Sequence, residues 1–206
     1  YAMIGSKTTG ENIYIKDIAD SNDPLQGIGI YMYQAEVSLK RTMIEKSRYT
    51  AVFTDRFSEG AKNSFDAADL YIKDTVPREI DNSGGIGLNF QGNNTIKLKR
   101  TLIDGSKSSG MIALIRLESE EVSLLASEFI IRNTLADQSN GTGGEGLVLQ
   151  DNVDAIIKNS VIDSNSLTGI SVSTRKPATK AAFKLFDTIV IKNNALREME
   201  GKYGSG

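Results

Sequence analysis

Six carboxylates, Asp20, Asp23, Glu79, Asp81, Asp137 and Glu145, stand in long polar gaps of this 206-residue sequence, and Glu198 and Glu200 follow in a fourth gap. Two carboxylates facing each other across a sugar can hydrolyse a glycosidic bond, one as acid and the other as base or nucleophile. The same hard oxygens could hold Ca2+, although no motif calls for a cofactor. The plainer reading is that Asp and Asn in such gaps serve the backbone of turns. The chain contains no His and no Cys. That removes Ser-His and Cys-His devices, cysteine nucleophiles, disulfides and the commonest metal ligands.

A second set of residues is basic. Lys16, Lys40, Lys73, Lys99, Arg132, Lys158 and Lys192 each follow a short apolar run. Stacked in space they would form rows of point charges for a polyanionic polysaccharide. Asp17, Asp74 and Asp104 lie close enough in sequence to neutralise them. Net charge is −2 and the pI is about 5.4, which favours neither nucleic acid nor an anionic membrane as partner. No run of 18 apolar residues occurs, so no membrane span is expected.

The elements that would position these groups repeat. "IYIKD" (13–17) returns as "LYIKD" (70–74), "FIIRN" (129–133) and "IVIKN" (189–193). "GIGI" (27–30) returns as "GIGL" (85–88) and "GEGL" (144–147). "VSLKRTMIE" (37–45) is followed by "IKLKRTLID" (96–104) and "AIIKNSVID" (155–163). Units close on "YTAVFT" (49–54), "SGMIAL" (109–114) or "TGISVS" (168–173). The period is roughly 58 residues and each unit splits into similar halves, so one turn of chain takes 27 to 32 residues and carries about three short strands.

A strand of that length buries nothing alone. Coiled so that each turn bonds to the next about 4.8 Å away, the strands enclose one continuous core. Alternation points Leu98, Leu102, Ile156, Val161, Ile170 and Val172 to one face, and stacks Ile15, Ile72, Ile131 and Ile191 in a column. Aligning "TMIEKS" on "TIVIKN" gives the more even turns. In that register Lys16, Lys73, Arg132 and Lys192 form one ladder, and Lys40, Lys99 and Lys158 another. The gaps at 19–26, 76–84, 135–145 and 195–205 then fall on alternate coils along one edge, about 9.6 Å apart. Asn133, Asn159 and Asn193 are expected to form amide stacks capping the turns. Tyr14 and Tyr71 should point outward, where they could stack on sugars. The stretch 176–186, helix-like in composition, aligns with loop and strand.

The G-I-x-I, I-I-x-N and N-x-x-x-G-I texture resembles the right-handed parallel β-helix of the pectate-lyase-like superfamily. The two-coil unit with "RNTLADQSNGTGGEGLVLQDN" (132–152) is similar to long secreted bacterial repeat proteins. The resemblance implies an all-β, right-handed solenoid of about seven coils, two per repeat, with repeats near 1–54, 55–114, 115–173 and 174–206. "YAMIG" sits where "YTAVFT" or "TGISVS" would close a unit and "GKYGSG" stops where "GTGGEG" would lead into the next strand, so the expectation is a single segment of a longer rod. The resemblance does not carry catalytic residues across. The Gly-His-Gly segment of polygalacturonase-like enzymes and the Trp-x-x-Asp-His segment of pectate lyases have no counterpart, because His and Trp are absent. The expected function is therefore a non-catalytic, secreted or cell-surface rod that binds glycans along the acidic loop edge. A lyase or glycoside hydrolase using the loop carboxylates is the alternative. The Asn140-Gly141-Thr142 triplet matches the N-glycosylation pattern, and "GTGGEG" lacks the Lys-Ser/Thr of a phosphate loop.

Overall fold

The computed structural model describes residues 2–19, 26–55, 60–136, 143–176, 179 and 182–194. Among the described residues, fourteen strands follow one another. They are β1 (Ala2–Ile4), β2 (Lys7–Ile18), β3 (Ile28–Tyr33), β4 (Glu36–Ser47), β5 (Thr50–Thr54), β6 (Lys62–Lys73) and β7 (Ile86–Gln91). Then come β8 (Asn93–Asp104), β9 (Ser109–Leu114), β10 (Val122–Arg132), β11 (Glu145–Gln150), β12 (Val153–Asp163), β13 (Ile170–Ser173) and β14 (Ala182–Lys192). Odd-numbered strands are short and make one seven-stranded sheet. Even-numbered strands are long and make the other, and the pairing within each sheet is parallel and sequential. No described residue is helical, so no helix is long and apolar enough to cross a membrane.

The chain is thus a parallel β-solenoid of about six turns, against an expected seven. Glu36, Ser64, Thr95, Ser123 and Asp154 stand level in successive coils, so a turn takes 28 or 31 residues in alternation. That lies inside the expected 27 to 32. The landmark strands fall as the repeat demands: "GIGI", "GIGL" and "GEGL" lead into β3, β7 and β11, and the closing motifs are β5, β9 and β13.

Each turn carries two strands where three were expected, because the long strand is two strands joined at a bend. Asn12, Arg41, Asp69, Arg100, Glu128 and Asn159 all adopt φ between 47° and 58° at this bend. One left-handed residue reverses the in-out parity of the residues after it. In β8, Ile96 and Leu98 are buried before Arg100, and Thr101 and Ile103 after it. Leu102 therefore points outward, as does Val161, contrary to simple alternation, and Ile156, which precedes the bend, points outward too. Ile170 packs against the core, and Val172 occupies a core column but is 42% exposed in the last short strand.

The isoleucine column is longer than the repeat suggested. Ile15, Ile44, Ile72, Ile103, Ile131, Ile162 and Ile191 are level in all seven long strands. The first six are buried, whereas Ile191, in the last coil, is 48% exposed. Each buried side chain contributes about 1.5–3 kcal/mol of transfer free energy. Facing them is a glycine column, Gly29, Gly87, Gly110, Gly146 and Gly169, interrupted by Ala51. A side chain at any of these glycines would run into the isoleucine beneath it and the carbonyl or amide of the next coil. That is the packing reason for the second Gly of each G-x-G. The first Gly has φ from 76° to 100° and turns the chain into the short strand.

Beyond the isoleucines, a second left-handed residue ends each long strand, and an inward polar column follows. Ser47, Thr75, Ser106 and Thr134 are fully buried there, and Asn165 and Asn194 continue the series. The amide stack is formed by this pair: Asn194 Oδ1 accepts from Asn165 Nδ2 at 2.9 Å, and Asn165 Oδ1 accepts from the Thr134 amide at 3.1 Å. The expected stack of Asn133, Asn159 and Asn193 does not form. Asn159 is a bend residue, while Asn133 and Asn193 end strands and donate outward to Asp104 and Asp163.

Candidate binding surface

The turns that lead from long strands to short ones are where the long gaps lie. Residues 76–84 fold back as a small hairpin. It is closed by an antiparallel bridge between Pro77 and Gly84 and by a bond from the Arg78 amide to the Ser83 carbonyl at 2.9 Å. The next long gap carries the same bridge, Ala136 with Gly143. Gly85 donates to the Tyr49 carbonyl, Ser108 to Gly85, and Gly144 to Ser108, so these two gaps are two coils apart on one edge, about 9.6 Å.

Three of the six expected site residues, Asp20, Asp23 and Asp137, lie outside the described residues, as do Glu198 and Glu200. The other three are placed but not brought together as one constellation. Glu79 leaves the hairpin and pairs with Arg48 at 2.6 Å. Asp81 faces back into the hairpin, where it accepts from the Ser83 amide at 3.0 Å and hydroxyl at 2.8 Å, and from Arg78. The Ser83 amide, then the Arg78 and Ser83 side chains, hold its carboxyl down at about 2. Arg78 also lies over the Tyr49 ring, 5.1 Å from its centroid. Glu145 is the first residue of β11, on the outer side of the short-strand sheet, where the Ser109 hydroxyl donates to it at 3.3 Å. Among the described residues no three acidic side chains converge on a point that could hold a metal ion.

Chemically, this edge offers fixed anions and hydrogen-bond partners. A carboxyl held near 2 is a poor general acid at neutral pH, because a proton donor needs a raised value. Beside the hairpin is an open depression of about 380 Å³ lined by Asp17, Ile18, Ala19, Lys46, Arg48, Asp74 and Val76. It alternates acceptors and donors around a small apolar floor.

The basic residues stand in the two ladders read from the sequence, and acids separate the members of the first. Level with Lys16, Lys73, Arg132 and Lys192 are Glu45, Asp104 and Asp163 in the coils between. Arg132 grips Asp104 Oδ2 through Nε at 3.0 Å and Nη2 at 2.8 Å, and Lys192 lies 3.5 Å from Asp163. Asp17 and Asp74 lie 3.9 and 3.8 Å from Lys16 and Lys73. Neutralisation by Asp17, Asp74 and Asp104 is thus realised. The bend residues make a second alternating ladder, in which Arg41 bonds Asn12 at 2.7 Å and Arg100 holds Asp69 at 2.5 Å.

Between these two charged ladders runs an outward apolar stripe that strict alternation along the sequence does not announce. Tyr14, Met43, Tyr71, Leu102, Ile130, Val161 and Val190 are level in successive coils. Tyr14 and Tyr71 point outward as expected. Tyr14 is 58% exposed and donates to Glu45 at 2.8 Å, and the others are half-buried. The signal is present in the sequence, but only once the parity reversal at the bend is known. Two buried carboxylates carry no sequence signal either, and both are structural. Glu120 accepts from the Arg116 and Leu117 amides at 2.8 Å, and Asp151 holds the turn after β13.

Family models, curated proteins and solved structures were compared with the chain, and none matches it.

Proposed function

We propose that the chain is a rigid, non-catalytic segment of a secreted or cell-surface bacterial β-helix of the pectate-lyase-like kind, binding glycans along its long-loop edge. A right-handed coil follows from the general handedness of parallel strand crossovers. The observation that carries the reading is the state of Asp81. Its carboxylate accepts from the Ser83 amide and hydroxyl and from Arg78 within its own hairpin, bonds that lower its pKa, so it braces the loop and is poorly suited to act as the proton donor of a hydrolase. Hairpin edges recurring at about 9.6 Å suit a polymer whose repeat is of disaccharide length. The depression beside Arg48 supplies donors and acceptors for hydroxyl groups.

A glycan array combined with an assay for reducing and unsaturated ends tests this. Binding without product is expected, and it should weaken in Arg48→Ala and Glu79→Gln while the far-UV spectrum stays unchanged. Release of either kind of end would replace the reading with its rival, a lyase or hydrolase. Absence of binding to neutral and acidic glycans alike would remove the glycan role.

A further inference from the structure

The apolar stripe and the two ladders beside it form one outer face, with the stripe in the middle and, in the four coils from β4 to β10, a charged residue two positions to either side; in β2, β12 and β14 the residue on the bend side is the neutral Asn12, Asn159 or Thr188. The signs on the two flanks are opposite within a coil and reverse in the next. β4 carries Arg41 on one flank and Glu45 on the other, β6 carries Asp69 and Lys73, and β8 and β10 repeat the alternation. Pairing up and down the rod requires alternation within each ladder, as Arg100 with Asp69 and Arg132 with Asp104 show. It does not require the two ladders to be out of phase with each other, since they lie on opposite sides of the stripe. A polyanion or polycation would meet four charges of each sign from β4 to β10, so neither is a suitable occupant.

We propose that this face docks a second copy of the same chain, the two rods side by side, parallel and in register, related by a two-fold axis along the rod. Such an axis carries one flank of the first copy onto the other flank of the second at the same level. Glu45 then meets the partner's Arg41, and Lys73 meets the partner's Asp69. The opposite phase of the ladders is what makes the meetings attractive in the four coils from β4 to β10, where both flanks are charged. The stripes lie on each other along the axis and bury what a lone rod leaves exposed of the partly buried Tyr71, Leu102 and Ile130. The interface is isologous and closes at two copies. This inference does not depend on glycan binding at the loop edge.

Light scattering or sedimentation of the 206-residue chain in low salt is expected to give twice the 22.4 kDa of one chain. The mass should fall toward a single chain as salt screens the flanks. A single-chain mass at micromolar concentration in low salt would overturn the proposal. Leu102→Lys sets like charges face to face across the axis and should abolish the dimer with the thermal melt otherwise intact; a dimer that survives it would place the contact elsewhere. Orientation is read by cross-linking, for which a Cys-free chain is convenient. Leu102→Cys should join to itself through a short bismaleimide, whereas Leu125→Cys, on the strand before the bend, should not. Cross-linking only when Tyr71→Cys and Leu102→Cys chains are mixed would mean antiparallel rods and would overturn the in-register arrangement.

Discussion

A β-carbon on Gly110 would stand 2.6 Å from the carbonyl oxygen of Gly146 in the next coil, and it would also press on the γ-methyl of Ile131. The carbonyl belongs to the inter-coil ladder and cannot swing aside. Gly110→Ala is therefore expected to cost about 1–3 kcal/mol, as overpacking does. A urea titration should show a lower midpoint at unchanged slope. Ala51 fills the same column in β5 and is fully buried, so the expectation concerns this coil. An unmoved midpoint would show that the Gly146 carbonyl yields.

The isoleucine column separates interior from end. Ile103 is fully buried between Ile72 and Ile131, and Ile103→Ala should cost about 2–5 kcal/mol through lost transfer free energy and the cavity left behind. Ile191 occupies the same column but is 48% exposed, so Ile191→Ala should cost well under half as much. Equal losses in chemical denaturation would mean that Ile191 is covered in solution.

Acid should loosen the hairpin at 76–84 before the rest of the rod. Asp81 is held at about 2 in the folded chain against 3.8 ordinarily, with the Ser83 amide the first cause. A depressed carboxyl contributes stability that is full above its ordinary value and is lost as pH falls from 3.8 toward 2. Exchange of the Ser83 amide should stay slow down to pH 4 and accelerate below it. Asp81→Asn should abolish that step; its persistence would assign the titration to another group.

Asp151 makes the same argument for a buried group. Burial pushes its carboxyl up, yet bonds from Gln150, the Arg175 and Lys176 amides and Thr179 outweigh this and leave it below its ordinary value. Oδ1 alone accepts at 2.6, 3.0 and 3.1 Å. Asp151→Asn turns one acceptor into a donor facing Gln150 and should cost about 1–3 kcal/mol at neutral pH. Because the native carboxylate loses its advantage on protonation, the gap between variant and parent should narrow in acid. A constant gap between pH 7 and pH 3 would show that charge plays no part.

The sequence announced the solenoid through its period, because stacked coils force like positions into vertical register, and "IYIKD", "LYIKD" and "FIIRN" are one level of the rod written three times. Turn length, both basic ladders and the outward Tyr14 and Tyr71 were legible for the same reason. The bend was not. Left-handed residues are usually announced by Gly or Asn, but Arg41, Asp69, Arg100 and Glu128 hold this conformation with charged side chains, of which Arg100 and Asp69 pair along the ladder. Without that residue, parity runs on uncorrected, and Leu102 and Val161 are read as core; Ile156 precedes the bend, and alternation from its buried neighbours Ala155 and Ile157 already points it outward. The amide stack was missed by the same kind of shift, since Asn165 and Asn194 each stand one place beyond a left-handed residue. At the loop edge the carboxylates were visible but their partners were not. Arg48 is 31 residues from Glu79, and no local spacing joins them.

The charge ladder Lys16, Glu45, Lys73, Asp104, Arg132, Asp163, Lys192 also constrains how this molecule can be miscounted. Excising one coil would bring Lys73 beside Arg132, or Glu45 beside Asp104, and like would sit on like at that joint. Removing two coils leaves the sequence of signs intact. Errors of threading during folding, and gains or losses of length over generations, are therefore cheap only in pairs, and a rod of this pattern grows by even steps.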